Sequence, residues 1–313
     1  MTPEEAQPSV RIVEVGPRDG LQNEAGRVPT ADKADLVRTL IASGLQEIEL
    51  SSFVSPRWIP QLGDAAELLD MLAGDMPAEI TFSALVPNMQ GMERLLEANE
   101  KAMRAVGRRA IDKVCLFTAA SETFSKKNTN ATIDETLVRF EPVASVTREH
   151  GLSLRGYISC AFACPFEGAI ATDAVVRVAE RLANELKIDE LSIADTIGRA
   201  TPEAVQERIG ALGSITGATI NLHLHDTFGR AADCVRAGLR AGVRSFDGAI
   251  GGLGGCPYAS TPGKRAPGNI ATATLVQTVE DEGFSTGVDH AKLGAARQLA
   301  DDLVARARSG APG

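Results

Sequence analysis

Thr219-Ile-Asn-Leu-His-Leu-His-Asp-Thr-Phe-Gly229 is the stretch on which the organisation of this 313-residue chain depends. It carries two of the four histidines and breaks at a glycine. In a β-strand, side chains two residues apart leave the same face, so His223 and His225 would point one way and Leu224 the other. The pattern predicts a strand that ends in a two-imidazole corner suited to a metal. The alternative is a pair of histidines that only fill the inner face of a buried strand.

Strand-like and helix-like segments alternate along the whole chain. Helical periodicity is clearest over Ala31 to Ser43, Ile133 to His150 and Asp173 to Leu186, and Thr30, Thr172 and Thr201 are typical helix-start residues. The predicted strands are Val10 to Gly16, Glu47 to Ser52, Glu79 to Leu85, Lys113 to Thr118, Ser153 to Ser159, Glu190 to Ala194, Thr219 to His225 and Ser245 to Ala249.

Eight strand–helix units in this length predict an α/β fold, a (β/α)₈ TIM barrel with additional C-terminal helices. A doubly wound sheet is the alternative, since periodicity does not show that a sheet closes. We expect one domain over residues 1–313, with the barrel at about 10–285 and a helical extension at about 286–310. The extension, read from Val288 to Ser309, has no matching strand and would be a cap or a subunit contact.

Composition and charge restrict the class of protein. The formal net charge of -9 argues against a general nucleic-acid binder, and no apolar run approaches the ~18 residues of a membrane helix. An odd number of cysteines, five, without a secretory signal favours a reducing compartment, so we expect a cytoplasmic protein. The basic pairs Lys126-Lys127 and Lys264-Arg265 are either solvated surface or contacts for one phosphorylated small molecule.

Polar residues collect where the predicted strands end, which is where barrel enzymes place their chemistry. Asp19 and the two histidines form an incomplete ligand set that suits a divalent cation with open positions. Ligand softness would allow zinc, manganese, iron or cobalt and would not put magnesium first. Arg18 could stabilise a developing oxyanion, or it could form an ordinary salt bridge with Asp19.

Cys256 follows a segment with four glycines in five residues, more backbone freedom than a packed core needs. A thiol there could transfer a proton once its pKa suits the task. The other cysteines, Cys115, Cys160, Cys164 and Cys234, are interpreted as small buried side chains.

Seven motifs are spread over nearly the whole chain: VEVGPRDGLQNE at 13–24, SSFVSPRWIPQLGD at 51–64, KKNTN at 126–130, RGYISCAFACPFEG at 155–168, ADTIG at 194–198, HLHDTFG at 223–229 and GGLGGCPYA at 251–259. Together, and in this order, they resemble the motifs of the 3-hydroxy-3-methylglutaryl-CoA (HMG-CoA) lyases, a family of metal-dependent barrel enzymes.

The resemblance implies a lyase that splits HMG-CoA into acetyl-CoA and acetoacetate, as in leucine degradation, and that works as a homo-oligomer. It implies that Arg18 stabilises the thioester enolate, that Glu49 steadies the arrangement and that Cys256, on a closing loop, takes part in proton transfer. The implied ligands of Mg²⁺ or Mn²⁺ are Asp19, His223, His225 and Asn269. Candidates for the acyl portion are Gln22, Ser52, Ser192 and Thr196, and candidates for CoA are Lys126, Lys127 and Asn128.

One region departs from the family pattern. The segment between Cys256 and Asn269 is about four residues longer, and Ala273 stands where an acidic residue is expected. Three alternatives therefore stay open: a lyase of a related 3-hydroxy acyl-CoA such as citramalyl-CoA, a condensing acyltransferase of the isopropylmalate or homocitrate synthase type, and a barrel kept only for binding.

Overall fold

The computed structural model describes residues 7–213, 217–255 and 268–310. Eight parallel strands close into a barrel in the order β1-β10-β9-β8-β5-β4-β3-β2, which confirms the predicted (β/α)₈ class and excludes the doubly wound sheet. These strands are β1 (Arg11–Glu14), β2 (Glu47–Ser52), β3 (Thr81–Leu85), β4 (Lys113–Ala119), β5 (Ser153–Ser159), β8 (Glu190–Asp195), β9 (Thr219–Leu224) and β10 (Ser245–Gly248).

The helices pack around the barrel and bury most of the apolar core between themselves and the strands. They are α1 (Thr30–Ala42), α2 (Ala65–Leu72), α3 (Met89–Val106), α4 (Glu122–Thr129), α5 (Ile133–Glu149), α6 (Thr172–Asn184), α7 (Pro202–Gly213), α8 (Ala231–Arg240), α9 (Thr272–Asp281) and α10 (His290–Ser309). None of them, within the described ranges, is both long and apolar enough to cross a membrane.

The lumen of the barrel is charged at its amino-terminal end. Lys113 donates hydrogen bonds to Glu47 (2.6 Å) and Glu190 (2.8 Å), while Arg155 binds Glu190 and Asp247, the latter at 3.1 Å. All five side chains are buried. Burial of single charges would be costly, so it depends on this mutual neutralisation. These ion pairs also fix which face of each strand points into the lumen.

Some local predictions were wrong at element ends. The first strand stops at Glu14, two residues early, because the chain turns into a π-helical segment, Gly16–Gly20. Thr30 and Thr172 do not cap their helices but are the first helical residues, since Pro29 and Ala171 hold the capping positions.

Two features lie beyond the eight strand–helix units, a hairpin and the predicted C-terminal helix. A hairpin of β6 (Ala163–Cys164) and β7 (Gly168–Ala169) follows β5 and was not predicted. Helix α10 packs on α1 in the outer layer, and the bidentate pair of Arg308 with Glu24, at 2.9 and 3.0 Å, joins it to the segment after β1. The helix therefore contacts the barrel and supports one of the loops that follow the strands.

Candidate active site

Arg18 and Asp19 lie in the π-helical turn that directly follows β1. The turn is held by a hydrogen bond of 2.8 Å from the Asp19 N–H to the Val15 carbonyl. Arg18 donates from Nη1 to Asp19 Oδ1 and from Nη2 to Glu49 Oε2 in β2, both at 2.7 Å. Arg18 and Asp19 therefore do form an ion pair, and this pair sits beside the histidines of β9.

Three side chains converge on one point, one from the turn after β1 and two from the end of β9. Asp19, His223 and His225 each bring a ligand atom within 4.8 Å of the others. The Nε2 atoms of the histidines lie 3.2 Å apart, and Asn269 Nδ2 donates to Asp19 Oδ2 at 2.8 Å. We call these four residues the metal-binding cluster. In the described part of the chain, Asn269 Oδ1 and His225 Nδ1 are buried without a hydrogen-bond partner.

The donor set fits a divalent cation. Buried polar atoms without partners are rare in proteins, and a bound ion is one explanation for them. Two imidazole nitrogens directed at one another, with a carboxylate and an amide oxygen next to them, leave open positions for further ligands. Asp19, His223 and His225 are thus the residues that could hold a divalent cation, and Asn269 lies against Asp19 beside them.

Asn269 reaches the cluster in spite of the longer preceding segment. Its backbone pairs with His225 in an isolated antiparallel bridge, one residue beyond the end of β9. Its Nδ2 also donates to the Leu253 carbonyl at 3.0 Å. Gly254 makes this approach possible, since a Cβ there would lie 2.6 Å from Asn269 Nδ2 and its φ is +98°.

The electrostatics of the cluster favour the metal-binding protonation states of Asp19 and His225. Burial, with a contribution from His223, lowers the pKa of His225 to about 3. Burial also lowers the pKa of His223, but the hydrogen bond and charge of Asp247 outweigh it, so that pKa is raised. For Asp19, burial is outweighed by Arg18 and both histidines, which hold its pKa well below its usual range. The cluster presents an ionised carboxylate and a neutral imidazole.

His223 is oriented by residues that the sequence analysis missed. Its Nδ1 faces Asp247 Oδ2 at 3.1 Å, which directs Nε2 toward the metal-binding cluster. Asp247 Oδ1 in turn accepts from Arg155 (3.1 Å) and Asn221 (2.9 Å). An aspartate in the otherwise uncharged and fully buried Ser245–Gly248 strand was the available signal, because a buried carboxylate needs a partner.

Tyr157 connects this orienting network to the arginine side of the site. Its hydroxyl accepts from Arg155 Nη1 at 2.9 Å and donates to Glu49 Oε2 at 3.3 Å. Glu49 also binds Arg18, so a continuous hydrogen-bonded path joins His223 to Arg18. Through the lumen, this path fixes the position of His223 relative to that of Arg18.

Glu14 is a further buried acid that the sequence analysis missed. Its carboxylate accepts from the Gly16 N–H (2.7 Å), the Ile250 N–H (2.8 Å) and the Thr272 hydroxyl (2.6 Å). Burial nevertheless raises its pKa to about 7. The side chain joins the turn that carries Arg18 and Asp19 to the segment after β10 and to the start of α9.

The hydroxyl residues proposed for the acyl portion are placed at different depths. Ser52 ends β2, and its Oγ accepts from the Val54 N–H at 3.2 Å. Thr196 follows β8 and accepts from the Cys160 N–H at 2.7 Å. Ser192 lies deeper, at the third position of β8, where it is fully buried and accepts from Asn221 at 2.9 Å. In these three bonds the hydroxyl oxygen is the acceptor, so the hydroxyl hydrogen is not used in them.

The other candidates lie on the rim or outside the described residues. Gln22, half-buried, follows the Arg18–Asp19 turn. Lys126, Lys127 and Asn128 are exposed on α4, with Lys127 Nζ 4.8 Å from the centroid of the Phe166 ring. Cys256 falls within 256–267, outside the described ranges.

Comparison with known proteins identifies the family. The HMGL-like family model matches residues 9–300. The chain is 41% identical to the hydroxymethylglutaryl-CoA lyase of Pseudomonas mevalonii, over 96% of this chain and 98% of that protein. It is also 41% identical, over 93% of this chain and 91% of the other, to a Pseudomonas aeruginosa protein named 3-hydroxy-3-isohexenylglutaryl-CoA/hydroxy-methylglutaryl-CoA lyase.

A solved structure agrees with these relatives. The crystal structure of the HMG-CoA lyase from Brucella melitensis superimposes with a TM-score of 0.86 at 41% identity, covering 95% of this chain and 99% of that one. Matches of this extent include every strand of the barrel and the whole metal-binding cluster. The chain therefore belongs to the HMGL-like family and is a carbon–carbon lyase.

Proposed function

We propose that the protein cleaves HMG-CoA to acetyl-CoA and acetoacetate in a reaction that depends on Mg²⁺ or Mn²⁺. The observation that carries the proposal is the convergence of Asp19, His223, His225 and Asn269 beside the Arg18 guanidinium at the carboxyl end of the barrel. The names of the relatives support it, since they are HMG-CoA lyases of nearly the same length.

The reaction removes the proton of the tertiary hydroxyl, forms the ketone of acetoacetate and breaks the bond between C2 and C3. A bound divalent cation would supply the Lewis acidity that makes the hydroxyl easier to deprotonate. The electron pair of the broken bond passes to C2, where the thioester takes it up as an enolate, and protonation at C2 gives acetyl-CoA.

Arg18 is the residue proposed to stabilise the enolate oxygen. Its two bonds, to Asp19 and Glu49, fix the guanidinium plane before substrate arrives, so little reorganisation is needed as charge develops. Its Nε is buried and has no partner among the described residues. A fixed cation with donors to spare can serve an oxyanion.

The remaining roles rest on the motifs that carry the resemblance. Ser52, Thr196 and Gln22, with Ser192 deeper in the barrel, would bind the polar groups of the acyl portion. Lys126, Lys127 and Asn128 would contact CoA, and Cys256 would supply the proton to C2. The cytoplasmic location of the protein and its assembly into a homo-oligomer stay predictions.

A panel of substrates tests the proposal. Purified protein with Mn²⁺ is offered HMG-CoA, citramalyl-CoA, and acetyl-CoA together with a 2-oxo acid. Acetyl-CoA should form fastest from HMG-CoA, and Cys256→Ala should lower that rate by orders of magnitude with little change in stability. Preferred cleavage of citramalyl-CoA would reassign the substrate, and release of free CoA from the third mixture would reassign the reaction.

The P. aeruginosa relative adds a point about substrate range. Its name joins two thioesters that differ only in the substituent on C3, which is methyl in one and isohexenyl in the other. The two compounds are therefore suitable probes of the same position in this protein.

A further inference from the structure

The barrel lumen contains an apolar cluster that is separate from the main core. It consists of Leu85, Cys115 and Tyr157, with Phe117 packed against them, and we call it the lumen wall. The alternation of β4 explains the separation: Lys113 binds acids inside the barrel, so Cys115 and Phe117 also face inward. Leu116, between them, belongs to the outer core.

Phe117 is the member of the wall that meets the open end of the barrel. Leu85, Cys115 and Tyr157 are at most 8% exposed, whereas Phe117 is half-buried. It pairs in register with Tyr157 of β5 and stands one inward position above Cys115, toward the carboxyl end of β4. Its ring therefore faces the carboxyl-terminal end of the barrel, where the candidate active site lies.

The wall borders the reacting groups. The Tyr157 ring meets the His223 ring edge-on, with centroids 6.0 Å apart, and the Arg18 guanidinium carbon lies 5.7 Å from the Tyr157 centroid. Phe117 is thus one side chain away from a residue of the metal-binding cluster and from the guanidinium. At this end of the barrel, the side chains at the ends of β1, β9 and β10 are polar, whereas the wall on β3, β4 and β5 is apolar.

The substrate has a matching division. Around C3 of HMG-CoA, the hydroxyl, the carboxymethyl arm and the thioester arm are polar or lead to polar groups, and the methyl is the one apolar substituent. Placing an apolar group on an apolar surface is favourable by ~25 cal/mol per Å² of area removed from water. An orientation that places the hydroxyl at the metal-binding cluster allows the methyl to face the wall.

We propose that Phe117 is a specificity-determining residue that sets the size of the C3 substituent, accepting methyl and excluding longer alkyl groups. The inference rests on the proposed function. The phenyl ring stands over the small Cys115, in the space that a longer chain would need, and its removal would leave room bordered by Leu85, Cys115 and Tyr157.

The test compares two thioesters on three variants. We measure kcat/KM for HMG-CoA and for 3-hydroxy-3-isohexenylglutaryl-CoA with Phe117→Ala, Phe117→Leu and the control Leu116→Ala, whose side chain lies on the same strand but in the outer core. The ratio of kcat/KM for the second substrate to kcat/KM for the first should rise at least ~tenfold in Phe117→Ala, since even one methylene more or less in a hydrophobic pocket changes specificity by roughly 10- to 200-fold. Phe117→Leu should give a smaller rise, and Leu116→Ala should leave the ratio as in the wild type.

The outcomes separate the inference from the proposed function. A wild-type protein that cleaves HMG-CoA, with an unchanged or lower ratio in folded Phe117→Ala and Phe117→Leu, would overturn the role of Phe117 alone. A wild-type protein that binds Mn²⁺ and cleaves neither thioester would overturn the proposed function. Titration with Mn²⁺ should give the wild-type affinity in all three variants, and weaker binding would mean that the wall acts through the metal-binding cluster instead.

Discussion

Replacing Arg155 with methionine should destabilise the protein strongly, although the change removes only one side chain. Arg155 is fully buried and joins Glu190 to Asp247 across the lumen. Lys113 would still neutralise Glu190 in the variant, with a hydrogen bond of 2.8 Å, but Asp247 would lose its charged partner on the Oδ1 side. A buried carboxylate would then lack its compensating cation.

The size of the effect follows from burial. Breaking a buried pair by removing one partner costs ~3 to 5 kcal/mol, because the other charge stays in a medium of low polarity. Methionine recovers part of the apolar contact of the arginine stem, which favours the lower end of that range. The exposed pair of Arg104 with Glu100, at 3.5 Å, provides the matched control, since exposed ion pairs contribute only ~0 to 1 kcal/mol.

Urea unfolding followed by circular dichroism measures both variants. Arg155→Met should lower the free energy of unfolding by ~3 kcal/mol, and Arg104→Met should change it by less than ~0.5 kcal/mol. A loss below ~1 kcal/mol for Arg155→Met, with the same dependence on urea, would refute the view that this residue compensates buried carboxylates.

Three further predictions concern pH, packing and metal binding. Burial raises the pKa of Glu14 from 4.5 to about 7, so its contribution to stability is full below the unfolded value and is lost as the pH rises through about 7. Glu14→Gln should remove ~3 kcal/mol of that pH dependence in unfolding curves taken across the interval, and an unaltered pH profile would show that the group is ionised throughout. A Cβ on Gly26 would lie 1.7 Å from a backbone oxygen of α10, whereas a Cβ on Gly74 would meet nothing within 4 Å. Gly26→Ala should therefore lower the melting temperature, and Gly74→Ala should not. Equal melting temperatures of the two variants would mean that α10 moves freely. His223→Ala should weaken Mn²⁺ binding by more than ~100-fold in calorimetry, whereas exposed His150→Ala should bind as the wild type does; similar affinities would mean that the ligand set is wrong.

Much of the fold could be predicted because its determinants are local. A strand buried in a barrel and a helix packed outside it each have a repeat that is visible within a dozen residues. His223 and His225 were predicted to share a face from a two-residue spacing, and their Nε2 atoms do meet at 3.2 Å. The ends of elements were less predictable, since the π-helical turn at Gly16–Gly20 depends on contacts with distant segments.

The network behind the site could not be predicted in the same way. Arg155 and Asp247 are separated by 92 residues, and no local pattern pairs them. Tyr157 was present in a quoted motif, but its role as a bridge between Arg155 and Glu49 depends on the closure of the barrel. The wall around Phe117 likewise exists only because β3, β4 and β5 are neighbours in the closed sheet.

The most direct test of the central claim is acetyl-CoA release from HMG-CoA by metal-stripped protein, with and without added Mg²⁺ or Mn²⁺. We expect no release from the stripped protein and turnover at ordinary enzyme rates, ~1 to 10³ per second, once either ion is added. Equal turnover in the presence of a chelator would contradict a role for the cluster of Asp19, His223, His225 and Asn269 in the reaction. No turnover despite measurable binding of Mn²⁺ would contradict the choice of HMG-CoA as substrate.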